Sequence, residues 1–116
     1  MSEVTLGNEV VTVTGGPMAL LEYQREFSDE HGKANWYADY SAALETPYGF
    51  PDPLFLLKTC WAMAKCADKA TEPFDTWARD LDIPMNFGAA WEMEVWDAIV
   101  SDIFRLERSE AETPSA

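Results

Sequence analysis

The stretch 54–69 constrains the fold more than any other part of the chain. Asp52-Pro53 opens it, a carboxylate suited to capping a helix followed by a proline suited to the first turn. Leu57, Trp61 and Ala64 fall on one helical stripe and Leu56, Cys60, Met63 and Ala67 on another, so apolar side chains cover much of the circumference. A helix of that kind is central. The remaining elements are expected to pack around it.

Residues 3–14 alternate instead. Val4 and Leu6, then Val11 and Val13, are separated by Thr5, Thr12 and Thr14, with Gly7-Asn8 between the two runs as a tight turn. Pairing across that turn sets Leu6 opposite Glu9, Thr5 opposite Val10 and Val4 opposite Val11, which puts Val4, Leu6, Val11 and Val13 on one face. A lone hairpin is marginal in water, so helices must cover that face. Gly15-Gly16-Pro17 ends it, and Pro17 starts a helix to about Ser28 with Leu20, Leu21, Gln24 and Phe27 at helical spacing. A second helix is predicted over 32–44, with Trp36, Tyr40 and Leu44 at successive i+4 positions and Tyr37 beside them. The loop 46–51, rich in proline and glycine, stops it.

After the central helix, Thr71-Glu72-Pro73 restarts the chain as a fourth helix with Phe74, Trp77, Ala78 and Leu81 on one face, ended by Ile83-Pro84. The last helix is predicted over 86–108, where Phe87, Trp91, Val95, Ile99 and Ile103 form a stripe that Trp96, Val100 and Phe104 widen. Residues 109–116 have nothing to bury and are expected to be disordered. The expected architecture is therefore one α+β domain, mainly α, over 1–108: a hairpin at 3–14 and about five helices over 17–108.

Charge narrows the choice of partner. The 116 residues hold 21 Asp and Glu against 8 Lys and Arg, a formal net of −13. Binding to nucleic-acid phosphates or an anionic membrane comes largely from Lys and Arg, so both are disfavoured. An acidic surface instead suits solubility, basic protein partners or imitation of a nucleic acid. Lys58 and Lys65 interrupt the most apolar stretch, so no membrane span is expected. The first residues, Met1-Ser2-Glu3, lack the basic and apolar regions of a signal peptide, and the expected compartment is the cytoplasm.

Chemistry-bearing patterns are sparse. Cys60 and Cys66 are about 240° apart around a helix and read as two small hydrophobes rather than a disulfide or metal pair. His31, the single histidine, reads as part of a polar loop, Asp29-Glu30-His31. No zinc or calcium spacing is present, and Gly15-Gly16-Pro17 lacks the Lys and Ser or Thr of a phosphate loop. No enzyme activity, cofactor or metal is expected.

The tryptophans are more informative. Trp91 and Trp96 lie about 140° apart on the last helix, so either that helix is sandwiched between two layers or one ring is an exposed anchor. Burial of both is the favoured reading, within a homo-oligomer if needed. Around them, Glu92, Glu94, Asp97 and Asp102 are expected to form an acidic outer face, either solvated or recognising a basic partner. These six residues are the candidate partner-binding site.

The order of elements resembles a known family. An N-terminal strand pair leads into Met18-Ala19-Leu20-Leu21-Glu22-Tyr23-Gln24-Arg25-Glu26-Phe27; then come Trp61-Ala62-Met63-Ala64-Lys65, Pro73-Phe74-Asp75-Thr76-Trp77 and Trp91-x-x-Glu94-Val95-Trp96-x-x-Ile99. Over roughly residues 3–106 this resembles the tail assembly chaperones of long-tailed bacteriophages and prophages. The resemblance implies a non-enzymatic protein that binds the tape measure protein, keeps its long helical and apolar segments soluble, and helps recruit tail tube subunits. It also implies a bacterial host cytoplasm and the short product of a gene often extended by a ribosomal frameshift. The rival reading of the charge is an acidic DNA mimic or inhibitor that binds a basic host protein.

Overall fold

The computed structural model describes residues 1–47 and 49–105. Among them, Ser2–Leu6 (β1) and Glu9–Val13 (β2) form a two-stranded antiparallel sheet. Five helices follow: Pro17–Phe27 (α1), Trp36–Ala43 (α2), Pro53–Ala67 (α3), Phe74–Arg79 (α4) and Ala90–Ala98 (α5). α5 runs on into a π-helical turn, Ile99–Ile103, in which the Phe104 N–H reaches back to the Ile99 carbonyl at 3.0 Å. The fold is α+β, mainly α, as expected.

The hairpin takes the register read from the sequence, with Val4 opposite Val11 and Leu6 opposite Glu9. Gly7 supplies a φ of 65° at the first turn position, which matches the twist of the flanking strands. Val4, Leu6 and Val13 are buried, and Val11 is half-buried. β1 rests on α5 and β2 on α3, so helices cover the sheet's inner face.

α3 is the centre of the molecule, with ten of its fifteen residues buried. Aspartate at its N-cap accepts the Leu54 N–H at 2.8 Å. Asp68 stops it by forming a turn, its side chain accepting from the Ala70 N–H, so Lys69, the last residue of the predicted helix, falls beyond its observed end. Two aromatic clusters flank this helix. Phe27, Trp61 and Phe74 meet edge to face between α1, α3 and α4, with centroids 5.1 to 6.4 Å apart. Trp36, Tyr40, Phe55 and Phe104 form the other, and Tyr23 links them by touching both Phe27 and Phe55. Each fully enclosed indole finds an acceptor: Trp36 on Thr59 Oγ1, Trp61 on the Glu72 carbonyl and Trp91 on the Pro84 carbonyl. Burial of a tryptophan without such a partner would leave its N–H unsatisfied. Cys60 is buried and Cys66 half-buried, both as free thiols, and enclosure pushes the Cys60 thiol up to about 12.

α4 ends at Arg79, short of the predicted Leu81, and two helices start later than the sequence predicts. α2 begins at Trp36 rather than near 32, because the preceding backbone has other bonds to make. Asp29 pairs with Gly32, and its carboxylate also accepts from the His31 and Gly32 N–H groups; Asn35 then caps the helix by accepting from Ala38. Its last predicted contact, Leu44, is an exposed C-cap residue. α5 begins at Ala90 rather than at 86, since Gly88 takes a φ of 90°, outside helical geometry. Phe87 is therefore off the stripe and exposed. Arg105, at a φ of 58°, breaks the helical path at the other end. The predicted segments 106–108 and 109–116 lie outside the described residues.

Gly15 marks where the hairpin's exit strand presses on the π turn. A Cβ there would lie 2.6 Å from the Asp102 carbonyl carbon and 2.8 Å from Ile103 Cγ1, and backbone cannot yield as a flexible side chain would. Gly15→Ala is expected to lower stability by about 1–2 kcal/mol, read as a lower urea midpoint at unchanged slope.

Candidate protein-binding groove

α1 turns inward a face rotated slightly from the one its apolar spacing suggests: of the predicted stripe, Leu20 and Phe27 pack against the core and Leu21 and Gln24 lie beside it. Ala19 and Tyr23 are its buried residues, whereas Leu20, Leu21 and Gln24 are only half-buried. Tyr23 anchors the inner face by donating its hydroxyl to Asp39 at 2.7 Å. Burial first, then that bond and the carboxylate's charge, raise the hydroxyl above the ordinary tyrosine range, so it remains a donor. With Tyr23 turned inward, Leu21 and Leu20, the latter also packed against the core, form one wall of an open groove.

The opposite wall is the entry to α2. Pro17, Leu20, Leu21 and Gln24 face Ala34, Trp36 and Tyr37 across a cavity of about 330 Å³. A second hollow of about 340 Å³, lined by Leu21, Gln24, Arg25, Ser28 and Lys33, shares two of these residues and extends the groove toward the end of α1. Tyr37 is 58% exposed, and Met18 on the first turn of α1 is exposed as well. Ser28 fixes the connection between the walls by donating to the Gln24 carbonyl and accepting the Ala34 N–H. The groove is mixed in character: Gln24 and Asn35 sit among the apolar side chains of the first hollow, and the second carries two cations, with Arg25 Nη1 3.7 Å from Glu22. Sequence reading missed this site because leucines at helical spacing look like core. The available signal was Tyr23, whose larger ring competes for the same inward direction.

The six candidate residues on the last helix are not a single outward patch. Trp91 is 4% exposed and belongs to the core. Trp96 is half-buried and stacks on Tyr40 at 6.1 Å with the rings nearly parallel. This helix contacts both β1 and α3, the layered arrangement that lets residues 140° apart both find cover. Glu92 departs most from its expected place. It is fully buried rather than on the acidic face, because Gly88 and Ala89 donate their N–H groups to its Oε1 at 2.8 and 3.2 Å. Ala89 has no side-chain acceptor of its own, so this glutamate caps the helix from its third position. Burial raises its carboxyl above the ordinary range, and the two backbone donors offset part of that.

Two of the other acids hold the hairpin. Glu94 accepts the Thr5 N–H at 2.7 Å, and Asp102 accepts from the Ser2 hydroxyl and lies 3.6 Å from the Met1 amino group. Asp97 is exposed. It shares a shallow 180 Å³ hollow with Glu3 and Glu94. Among the described residues, no three His, Cys, Asp or Glu side chains come together as a metal-ligand set. None of the helices described is long and apolar enough to cross a membrane.

A scan against protein-family models, a search of curated proteins and a search of solved structures each return no match.

Proposed function

We propose that this chain is a non-enzymatic tail assembly chaperone of a long-tailed phage or prophage, acting in the cytoplasm of the bacterial host. On this reading it binds the tape measure protein and helps recruit tail tube subunits. The observation that carries it is the groove between α1 and the start of α2, where Leu20, Leu21 and Tyr37 are set among the polar side chains of Gln24 and Asn35, on a chain of net charge −13. A holding chaperone needs apolar area for its client and enough like charge to keep the complex dispersed, and the two occur together here. Leu20, Leu21 and Tyr37 would take the apolar face of a client helix, a mode in which side chains three and four residues apart anchor in a groove.

The test is co-expression with the tape measure protein of the same phage or prophage, a long coiled-coil chain, followed by pull-down. The intact chain should retain that protein and raise its soluble fraction. Leu21→Asp, placed on the groove wall where it need not disturb Tyr23, is expected to reduce capture by about tenfold or more, the loss typical of a contact hot spot. Failure of the intact chain to bind or solubilise the long protein would remove the chaperone reading. Undiminished capture by a folded Leu21→Asp variant would remove the groove from it.

A further inference from the structure

The described chain ends against one end of the groove. Arg105 lies over the start of α1, its Nη2 3.5 Å from where a Cβ on Gly16 would stand, and the Phe104 ring packs on Trp36 with centroids 5.8 Å apart. Pro17, next to Gly16, and Trp36 both line the first hollow. The chain is therefore delivered to the Pro17 end, and from there the groove runs along α1 to Arg25 and Lys33.

The cations at that far end are open to a partner. Lys58 lies over the Phe27 ring and Lys65 donates to the Lys69 and Thr71 carbonyls, so both are engaged within the fold. Arg25 is matched in part by Glu22, whereas Lys33 is exposed and has no ion-pair partner among the described residues. The sequence after Arg105 continues Leu106-Glu107-Arg108-Ser109-Glu110-Ala111-Glu112, three acids against one base. We propose that this acidic segment folds back into the groove of its own chain, with Leu106 beside Pro17 and Trp36 and its glutamates at Arg25 and Lys33.

The lengths agree. Pro17 to Arg25 spans about 12 Å along a helix, and an extended chain covers that in about four residues at ~3.3 Å each. Glu110 stands five residues past Arg105, within that reach. The net charge of −13 disfavours the segment over most of the surface, which favours the end of the groove where cations are exposed. Tethering holds the segment at an effective concentration on the order of millimolar, so even a weak contact is populated. A client helix entering the same groove has to displace it, a consequence that rests on the groove being the client site.

A zero-length carbodiimide, which joins a lysine amine to a carboxylate in contact with it, tests the contact in the full chain, read by peptide mass spectrometry of the monomer. The expected result is Lys33 joined to Glu107, Glu110 or Glu112 several-fold more often than Lys69, which is exposed and lines neither hollow. Glu107→Gln, Glu110→Gln and Glu112→Gln together should move the amide resonances of Leu21, Gln24 and Lys33 and leave those of α3 in place. Coupling to these glutamates no more frequent at Lys33 than at Lys69, coupling found only between two copies, or groove resonances unmoved in the triple variant would overturn the proposal. No client is present in either measurement, so these outcomes leave the chaperone reading to its own test, and failure of client capture leaves the fold-back contact standing.

Discussion

Replacing Trp61 with alanine is expected to destabilise the protein by about 3–5 kcal/mol, a large share of the roughly 5–15 kcal/mol that holds a domain of this size together. Trp61 is 2% exposed on the central helix, and its ring is enclosed by Phe27 of α1 and Phe74 of α4. The loss has three sources: the transfer of a large apolar surface, the cavity left between three helices, and the Glu72 carbonyl deprived of its indole donor. The third can be separated from the first two. Trp61→Phe keeps an aromatic ring in contact with both neighbours but cannot donate, and should lose about 1–2 kcal/mol. Circular dichroism in urea is the suitable measurement, since five tryptophans mix their fluorescence. A loss under about 1 kcal/mol for Trp61→Ala would show that α4 collapses onto α3 and refills the space.

The hairpin's register, though not its ends, is legible to the residue because two signals agree there. The alternation of Val4, Leu6, Val11 and Val13 selects one buried face, and Gly7-Asn8 allows one register that preserves it. α3 was legible for a similar reason, since a helix apolar on several stripes has only the centre to occupy. Helix starts were less so. His31 and Gly32 donate to the Asp29 side chain, and a local side-chain bond of that kind competes with helical hydrogen bonding in a way that apolar spacing does not report. The groove was hidden by an ambiguity of a helical wheel. Ala19-Tyr23 and Leu20-Gln24 are adjacent stripes, and which faces inward depends on Phe55 and Asp39 being in place to receive Tyr23. The π turn has no sequence signature that we can identify. It matters because it brings Asp102 to Ser2 and leaves Gly15 in contact with its backbone.

Glu92 should make stability depend on pH in the opposite sense to an ordinary ion-paired carboxylate. Its folded-state carboxyl titrates above the ordinary value of 4.5, so the native state holds this proton more tightly than the unfolded chain does. The stabilisation tied to that proton is present below about pH 4.5 and is lost as pH rises through the folded-state value. Once ionised, this side chain is an enclosed carboxylate with one oxygen, Oε2, that has no hydrogen-bond partner among the described residues, while Oε1 caps α5. Glu92→Gln keeps an acceptor for the Gly88 and Ala89 N–H groups and removes the charge. Its stability relative to the native chain should improve as pH rises from about 4.5 through the folded-state value. Glu92→Ala removes the acceptor as well; its cost, about 2–3 kcal/mol below about pH 4.5, should shrink with rising pH by the amount that Glu92→Gln gains. Thermal melts of the three proteins across the interval separate charge from cap. Parallel pH curves for the native chain and Glu92→Gln would mean that water or a shift of the α5 entry solvates Oε2, and that this glutamate acts as a cap alone.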